Sequence, residues 1–192
     1  MRLNNTYFLL RHGEARSNKY SFVSCWPEKV YNPLTRKGIK RIKEVVFILR
    51  KEKIDLIFAS DLLRTKQTAE TIATKRGMNI MFDKNLREIK FGKFNGEFGD
   101  KWESFFKTIK NKKSGKPYGM ENYKDVLKRA RVFIKEINER YKNKNILIIS
   151  HGAVVFSIEA TLRDFSEKQE ETHKEELKFE TGELKKLVTG NR

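Results

Sequence analysis

Only one cysteine, three prolines and three histidines occur among the 192 residues. The lone cysteine, Cys25, excludes an internal disulfide and fits a reducing compartment. No apolar run approaches the roughly 20 residues that a membrane span needs. Residues 146–160 form the most apolar stretch, and Ser150-His151-Gly152 breaks it. Residues 7–10 are too few for the apolar region of a signal peptide. A cytoplasmic protein without membrane attachment is the expectation. Neither an aspartate-rich run nor a Cys/His cluster at metal-ligand spacing is present, so neither a metal nor another cofactor is expected.

Acidic residues are also scarce relative to basic ones: 25 against 42, a formal net charge of +17. That excess admits a nucleic acid partner, a small anionic substrate or a lysine-rich background. A nucleic acid binder concentrates its charge on a stripe with interleaved aromatics. Here lysines recur on most predicted surfaces, which favours background first and an anionic substrate second. Hydrophobic content of 38% and charged content of 35% are polar but well short of disorder. The length fits one domain, residues 1–192.

Strand and helix signals alternate. Residues 6–10 are a compact apolar run of the kind buried on both faces of a sheet. A loop over 17–33 leads to Thr35, a helix N-cap. Ile39, Ile42, Val45, Val46 and Leu49 then recur at helical spacing. Residues 56–59 read as a second strand, 63–75 as a helix stopped by Gly77, and 79–82 as a third strand. The segment 83–119 is irregular, with a short helix around 102–110. Val126, Leu127, Ala130, Phe133, Ile134, Ile137 and Tyr141 share one face of a long helix starting near Asn122. A strand at 145–149, a helix at 153–163, an acidic segment at 164–180 and a strand at 184–188 complete the chain. The alternation predicts a three-layer α/β/α fold, with a mostly parallel central sheet and a small helical insertion near the active site.

Ligands of such sheets sit beyond the carboxyl ends of the strands. Arg11-His12-Gly13 ends the first strand, Ser60 the second, and Ser150-His151-Gly152 the strand near the C-terminus. Two strand-end His-Gly pairs in a histidine-poor chain predict one shared site. Arg64 falls in the first turn of the helix after Ser60, where free N–H groups and a guanidinium both favour an anion. Glu88 lies in a loop entering a glycine-rich turn.

Taken together these segments resemble the histidine phosphatase superfamily, also called phosphoglycerate mutase-like. Arg11 through Asn18 follow an RHGExxxN form. Ser60 to Ala69 is similar to an S-x-L-x-R-[AT]-x-Q-T-A element. Leu86-Arg87-Glu88 with Phe91, Gly92 and Gly96 resembles an L-x-E-x-x-F-G-x-[WF]-x-G turn, and Ser150-His151-Gly152 a second-histidine motif. Asn32 to Gly38 looks like N-x-LT-x-x-G, and Gly119 to Asn122 like GGES. Phe94 and Asn95 depart from the more usual Trp-Glu, and Met120 and Asn122 from Gly and Ser.

The resemblance implies that His12 attacks phosphorus and becomes a phosphohistidine. Arg11, Arg64 and His151 would stabilise the transferred phosphoryl group, Asn18 would donate to it, and Gly13 and Gly152 would admit the backbone. Glu88 would be the general acid, and Glu14 would orient the site without touching the phosphate. His173, among glutamates, reads as a solvated helix residue. The implied activity is a metal-independent phosphomonoester phosphatase acting on a small anionic phosphorylated metabolite, as a monomer or homodimer. Lys90-Phe91-Gly92, where mutases carry His-Tyr-Gly, favours a phosphatase over a cofactor-dependent phosphoglycerate mutase. A non-catalytic phosphate- or RNA-binding module on the same fold is the remaining alternative.

Overall fold

A computed structural model describes residues 3–108 and 117–187. The elements run β1 (Thr6–Arg11), α1 (Arg16–Tyr20), α2 (Arg36–Leu49), β2 (Leu56–Ala59), α3 (Leu63–Arg76), β3 (Ile80–Phe82), α4 (Gly99–Thr108) and α5 (Tyr123–Arg140). They continue with β4 (Asn145–Ser150), α6 (Gly152–Leu162), α7 (Glu167–Thr172), α8 (Lys174–Leu177) and β5 (Leu184–Leu187). The sheet order is β3-β2-β4-β1-β5. All pairings are parallel except β5, which runs antiparallel to β1.

The side-chain period of 2 along the strands builds two cores. Tyr7, Leu9, Phe58, Ile146 and Ile148 pack on one face against α5 and α6 through Phe133, Ile134, Ile137, Val155 and Ile158. Phe8, Leu10, Ile57, Leu147 and Ile149 pack on the other against α2 and α3 through Ile42, Val45, Leu49, Ala69 and Ile72. With helices on both faces, the central strands can be apolar throughout, and the expected three layers result.

Thr35 caps α2 by accepting from the Gly38 N–H at 3.0 Å. Asn122 caps α5 in a reciprocal box with Asp125. Asparagine thus performs at this position the capping for which serine is equally suited. Met120 joins Cys25, Phe91 and Phe94 in a third, small apolar cluster, with Trp102 and Phe105 packed against it. This cluster is the core of the expected insertion.

Three segments differ from expectation. Residues 17–20, placed in a loop, belong to α1, a single short helix with no apolar periodicity to announce it. The acidic segment folds into α7 and α8, again too short for a 3.6-residue pattern to register. The insertion helix α4 starts at Gly99 rather than Trp102; the expected residues 109–110, and Val188 of the last strand, lie outside the described residues. Among the described residues, no helix is long and apolar enough to cross a membrane.

Candidate active site

Parallel pairing sets Arg11 opposite Ser150 and Ala59 opposite Ile149, so the carboxyl ends of β2, β4 and β1 lie side by side at one rim. Each then hands over a polar residue: Ser60, His151 and His12. All three are buried. The rings of His12 and His151 meet edge to face, with centroids 5.1 Å apart.

His12 has a defined tautomer. Its Nδ1 lies 2.7 Å from the Gly13 carbonyl, an oxygen that can only accept, so Nδ1 carries the proton. Nε2 is left with its lone pair, toward which the Arg64 Nε–H donates at 3.1 Å. Burial, followed by the charges of Arg64 and Arg11, holds the imidazole well below the usual histidine range. The two arginines therefore assist burial rather than lead. His151 is likewise held far down, by burial and then Arg64. Its Nε2 is 2.9 Å from Ser60 Oγ, while its buried Nδ1 has no hydrogen-bond partner among the described residues. Glu88 is the nearest anion to that nitrogen, 3.8 Å away. Arg11 donates from Nη1 to the Phe179 carbonyl at 2.7 Å, and its buried Nε also has no partner among the described residues.

Residues 7–189 match the family model of the histidine phosphatase superfamily (branch 1). The chain belongs to that superfamily. It is 27% identical over 148 residues to phosphoserine phosphatase 1 of Hydrogenobacter thermophilus, covering 74% of this chain and 69% of that one. To phosphoglycerate mutase-like protein 4 of Arabidopsis thaliana it is 25% identical over 169 residues, covering 84% and 73%. The structure of the alpha-ribazole phosphatase from Shigella flexneri superposes with a TM-score of 0.81 over 94% of this chain and 89% of that one, at 22% identity, a likeness of fold.

Within this histidine phosphatase, the loop after α1 contributes residues that no motif singled out. Arg64, whose side chain is 3% exposed, donates from Nη2 to the Ser24 carbonyl at 3.0 Å and from Nη1 toward Glu28 at 3.4 Å. The same Glu28 accepts from the Leu63 N–H at 2.9 Å. The α3 N-terminus, expected to hold a free N–H for an incoming anion, thus has one donor already taken. Leu62 at the N-cap offers no side-chain acceptor, and Glu28 supplies it from a distance of 35 residues in the chain. Nothing local in the sequence signals that contact.

Asn95 explains how the loop is held. Its Oδ1 accepts from the Cys25 N–H at 3.0 Å and its amide donates to the Pro27 carbonyl at 2.7 Å. Cys25 is buried there and accepts from the Phe91 N–H. Trp26 is exposed, with the Arg87 guanidinium 4.0 Å from its ring centroid. Arg87 in turn is clamped by both carboxylate oxygens of Asp61.

Asn18 lies on α1, where its Oδ1 accepts from the Ala15 N–H at 2.9 Å and leaves the amide NH2 to donate. Glu14 accepts from Thr35 Oγ1 at 2.7 Å and pairs with Lys37 at 3.3 Å, which ties the first motif to the start of α2. Both motif glycines answer to protein neighbours. A Cβ on Gly13 would come within 2.9 Å of the Gly38 carbonyl and Ile42, and one on Gly152 within 3.4 Å of the Arg11 guanidinium. His173 joins α7 to α8 and faces Phe165, away from these groups.

Proposed function

We propose that this protein hydrolyses phosphomonoesters of small anionic metabolites without a metal, through a phosphohistidine on His12. The observation that carries the reading is a pair of buried nitrogens with no hydrogen-bond partner among the described residues, Arg11 Nε and His151 Nδ1, beside a neutral imidazole whose Nε2 lone pair is met by Arg64. Buried donors are costly unless they are paired. A phosphate ester supplies acceptor oxygens and an electrophile together.

His12 Nε2 attacks phosphorus and the bond to the leaving oxygen breaks. Glu88 gives that oxygen a proton and becomes a carboxylate. Water then attacks the phosphohistidine, losing its proton to Glu88, and the N–P electron pair returns to Nε2. Negative charge spreads over the equatorial oxygens in both steps. Arg11, Arg64, His151 and the Asn18 amide are donors for it, worth most where water is excluded. Arg64 must first leave Nε2, exchanging the imidazole for a phosphate oxygen.

The test is phosphate release from a panel of phosphoserine, sugar phosphates, phosphoglycerates, nucleotides and phosphopeptides, with and without a chelator. Wild type should release phosphate in the chelator and His12→Ala should not; equal turnover by His12→Ala overturns the assignment. A parallel assay with 3-phosphoglycerate and a bisphosphoglycerate primer reads mutase activity. Salt-dependent RNA binding without turnover on any ester would make the protein a binding module instead.

A further inference from the structure

Glu28 puts a carboxylate against the two features of the site that attract anions, the α3 N-terminus and the Arg64 guanidinium. We infer that Glu28 is a specificity and charge-setting residue, which shares the positive charge of Arg64 with the phosphate and so keeps substrate and product phosphate weakly held. This inference rests on the phosphatase reading above.

The loop does not need Glu28 to stay in place. Backbone bonds join Val23 to Glu97 and Gly96 at 2.9 Å each, and Gly99 to Ser21. Asn95 holds Cys25 and Pro27, Arg87 lies against Trp26, and Ser24 reaches Arg64 on its own. What Glu28 adds is an acceptor for the Leu63 N–H and a negative charge. A glutamine keeps the first and removes the second, so Glu28→Gln isolates the charge.

Charges facing the phosphate position make the consequence specific. Burial keeps His12 and His151 neutral, which leaves Arg11 and Arg64 as the cations. Of the carboxylates that act on Arg64, Glu88 leads and Glu28 follows. In the proposed reaction Glu88 carries the proton for the leaving oxygen, and it lies on the side of His151, 3.8 Å from that ring. Glu28 therefore remains as the standing negative charge on Arg64, in surroundings where Arg64 is almost fully desolvated and charge interactions are poorly screened. An arriving phosphate must share Arg64 with it, and departing phosphate is helped away by it.

The experiment compares wild type, Glu28→Gln and Glu28→Asp for the inhibition constant of inorganic phosphate, the KM and kcat for one phosphomonoester, and the melting temperature. Direct calorimetry with inorganic phosphate runs beside the kinetics. Glu28→Gln is expected to tighten phosphate binding on the order of tenfold, from the loss of one charge near a buried guanidinium. KM should fall with it and kcat should not rise. Glu28→Asp, which keeps the charge but draws it back by one methylene, should shift the same way by less, and carries the test if the glutamine variant does not fold. Phosphate binding that is unchanged or weaker in a variant with a wild-type melting temperature overturns the inference, because a purely structural cap would only loosen the site. The two readings fail separately. Calorimetric tightening in a protein that hydrolyses no ester keeps the role of Glu28 in anion binding and sinks the phosphatase, while normal turnover with unaltered phosphate binding does the reverse.

Discussion

The Nε–H of Arg64 points at Nε2 of His12 across 3.1 Å, so one guanidinium covers the lone pair that attacks phosphorus in the proposed reaction and carries the charge proposed to bind it. The same contact requires an unprotonated imidazole, because an imidazolium would present a second N–H to the donor.

His12 should therefore be neutral, with the proton on Nδ1, throughout the range where an ordinary histidine titrates. Burial leads and the two arginines add to it, all in the direction that disfavours the cation. Nitrogen NMR of the ring at pH 6 is expected to show the Nδ1–H tautomer; an imidazolium spectrum would refute the assignment. Correspondingly, the acid side of the kcat/KM profile should carry no loss from His12 near pH 6.5.

Stability should fall as the medium is acidified. The folded pKa values of His12 and His151 lie below those of the unfolded chain. Below about pH 6.5 the unfolded state thus takes up two protons that the native state refuses. The contribution is complete above that pH and is lost downward toward the folded values, at up to about 1.4 kcal/mol per pH unit for each group. Melting temperatures from pH 7.5 to 5.5 should drop less in a His12→Asn, His151→Asn double variant than in wild type. Equal slopes would mean that the histidines are not buried as neutral groups.

Removing the acid should show in the leaving group. Glu88→Gln is expected to lower turnover by roughly 10²- to 10⁴-fold for alkyl phosphates. For a nitrophenyl ester, whose leaving oxygen needs no proton, the loss should be far smaller. A uniform loss across a leaving-group series would assign Glu88 to binding.

Asn95 tests the loop. Asn95→Ala removes the acceptor for Cys25 and the donor to Pro27 while leaving every residue that faces the phosphate in place. Stability should fall by about 1–3 kcal/mol for the polar groups left buried without partners. KM should rise as the Ser24 carbonyl that orients the Arg64 guanidinium loses its fixed place. Denaturant melts and steady-state kinetics read the two effects independently, and an unchanged KM would show that the loop holds itself.

Most of the architecture was legible because it rests on short-range pattern. The run Tyr7-Phe8-Leu9-Leu10 can be apolar at every position only where both sheet faces are covered, and it lies buried between two helical layers. Ile42, Val45 and Leu49 mark the buried stripe of α2 by spacing alone. The short α1, α7 and α8 escaped, since a helix of one or two turns carries no period to read. In the site, His12 and His151 stood out because they follow strand ends, which converge in a parallel sheet, Arg64 because it opens the helix after one, and Glu88 only through the family resemblance of its loop.

Sequence alone thus determined the layers, the rim and the residue types gathered there, since hydrophobic periodicity and strand termini are local properties of the chain. Only the tertiary structure decided how those groups are tuned. Glu28 reaches Leu63 across 35 residues, and Asn95 reaches Cys25 across 70. The tautomer of His12 depends on a carbonyl whose orientation follows from Gly13 packing against α2. Burial, the main cause of both neutral histidines, is a property of the packed molecule and of no segment within it.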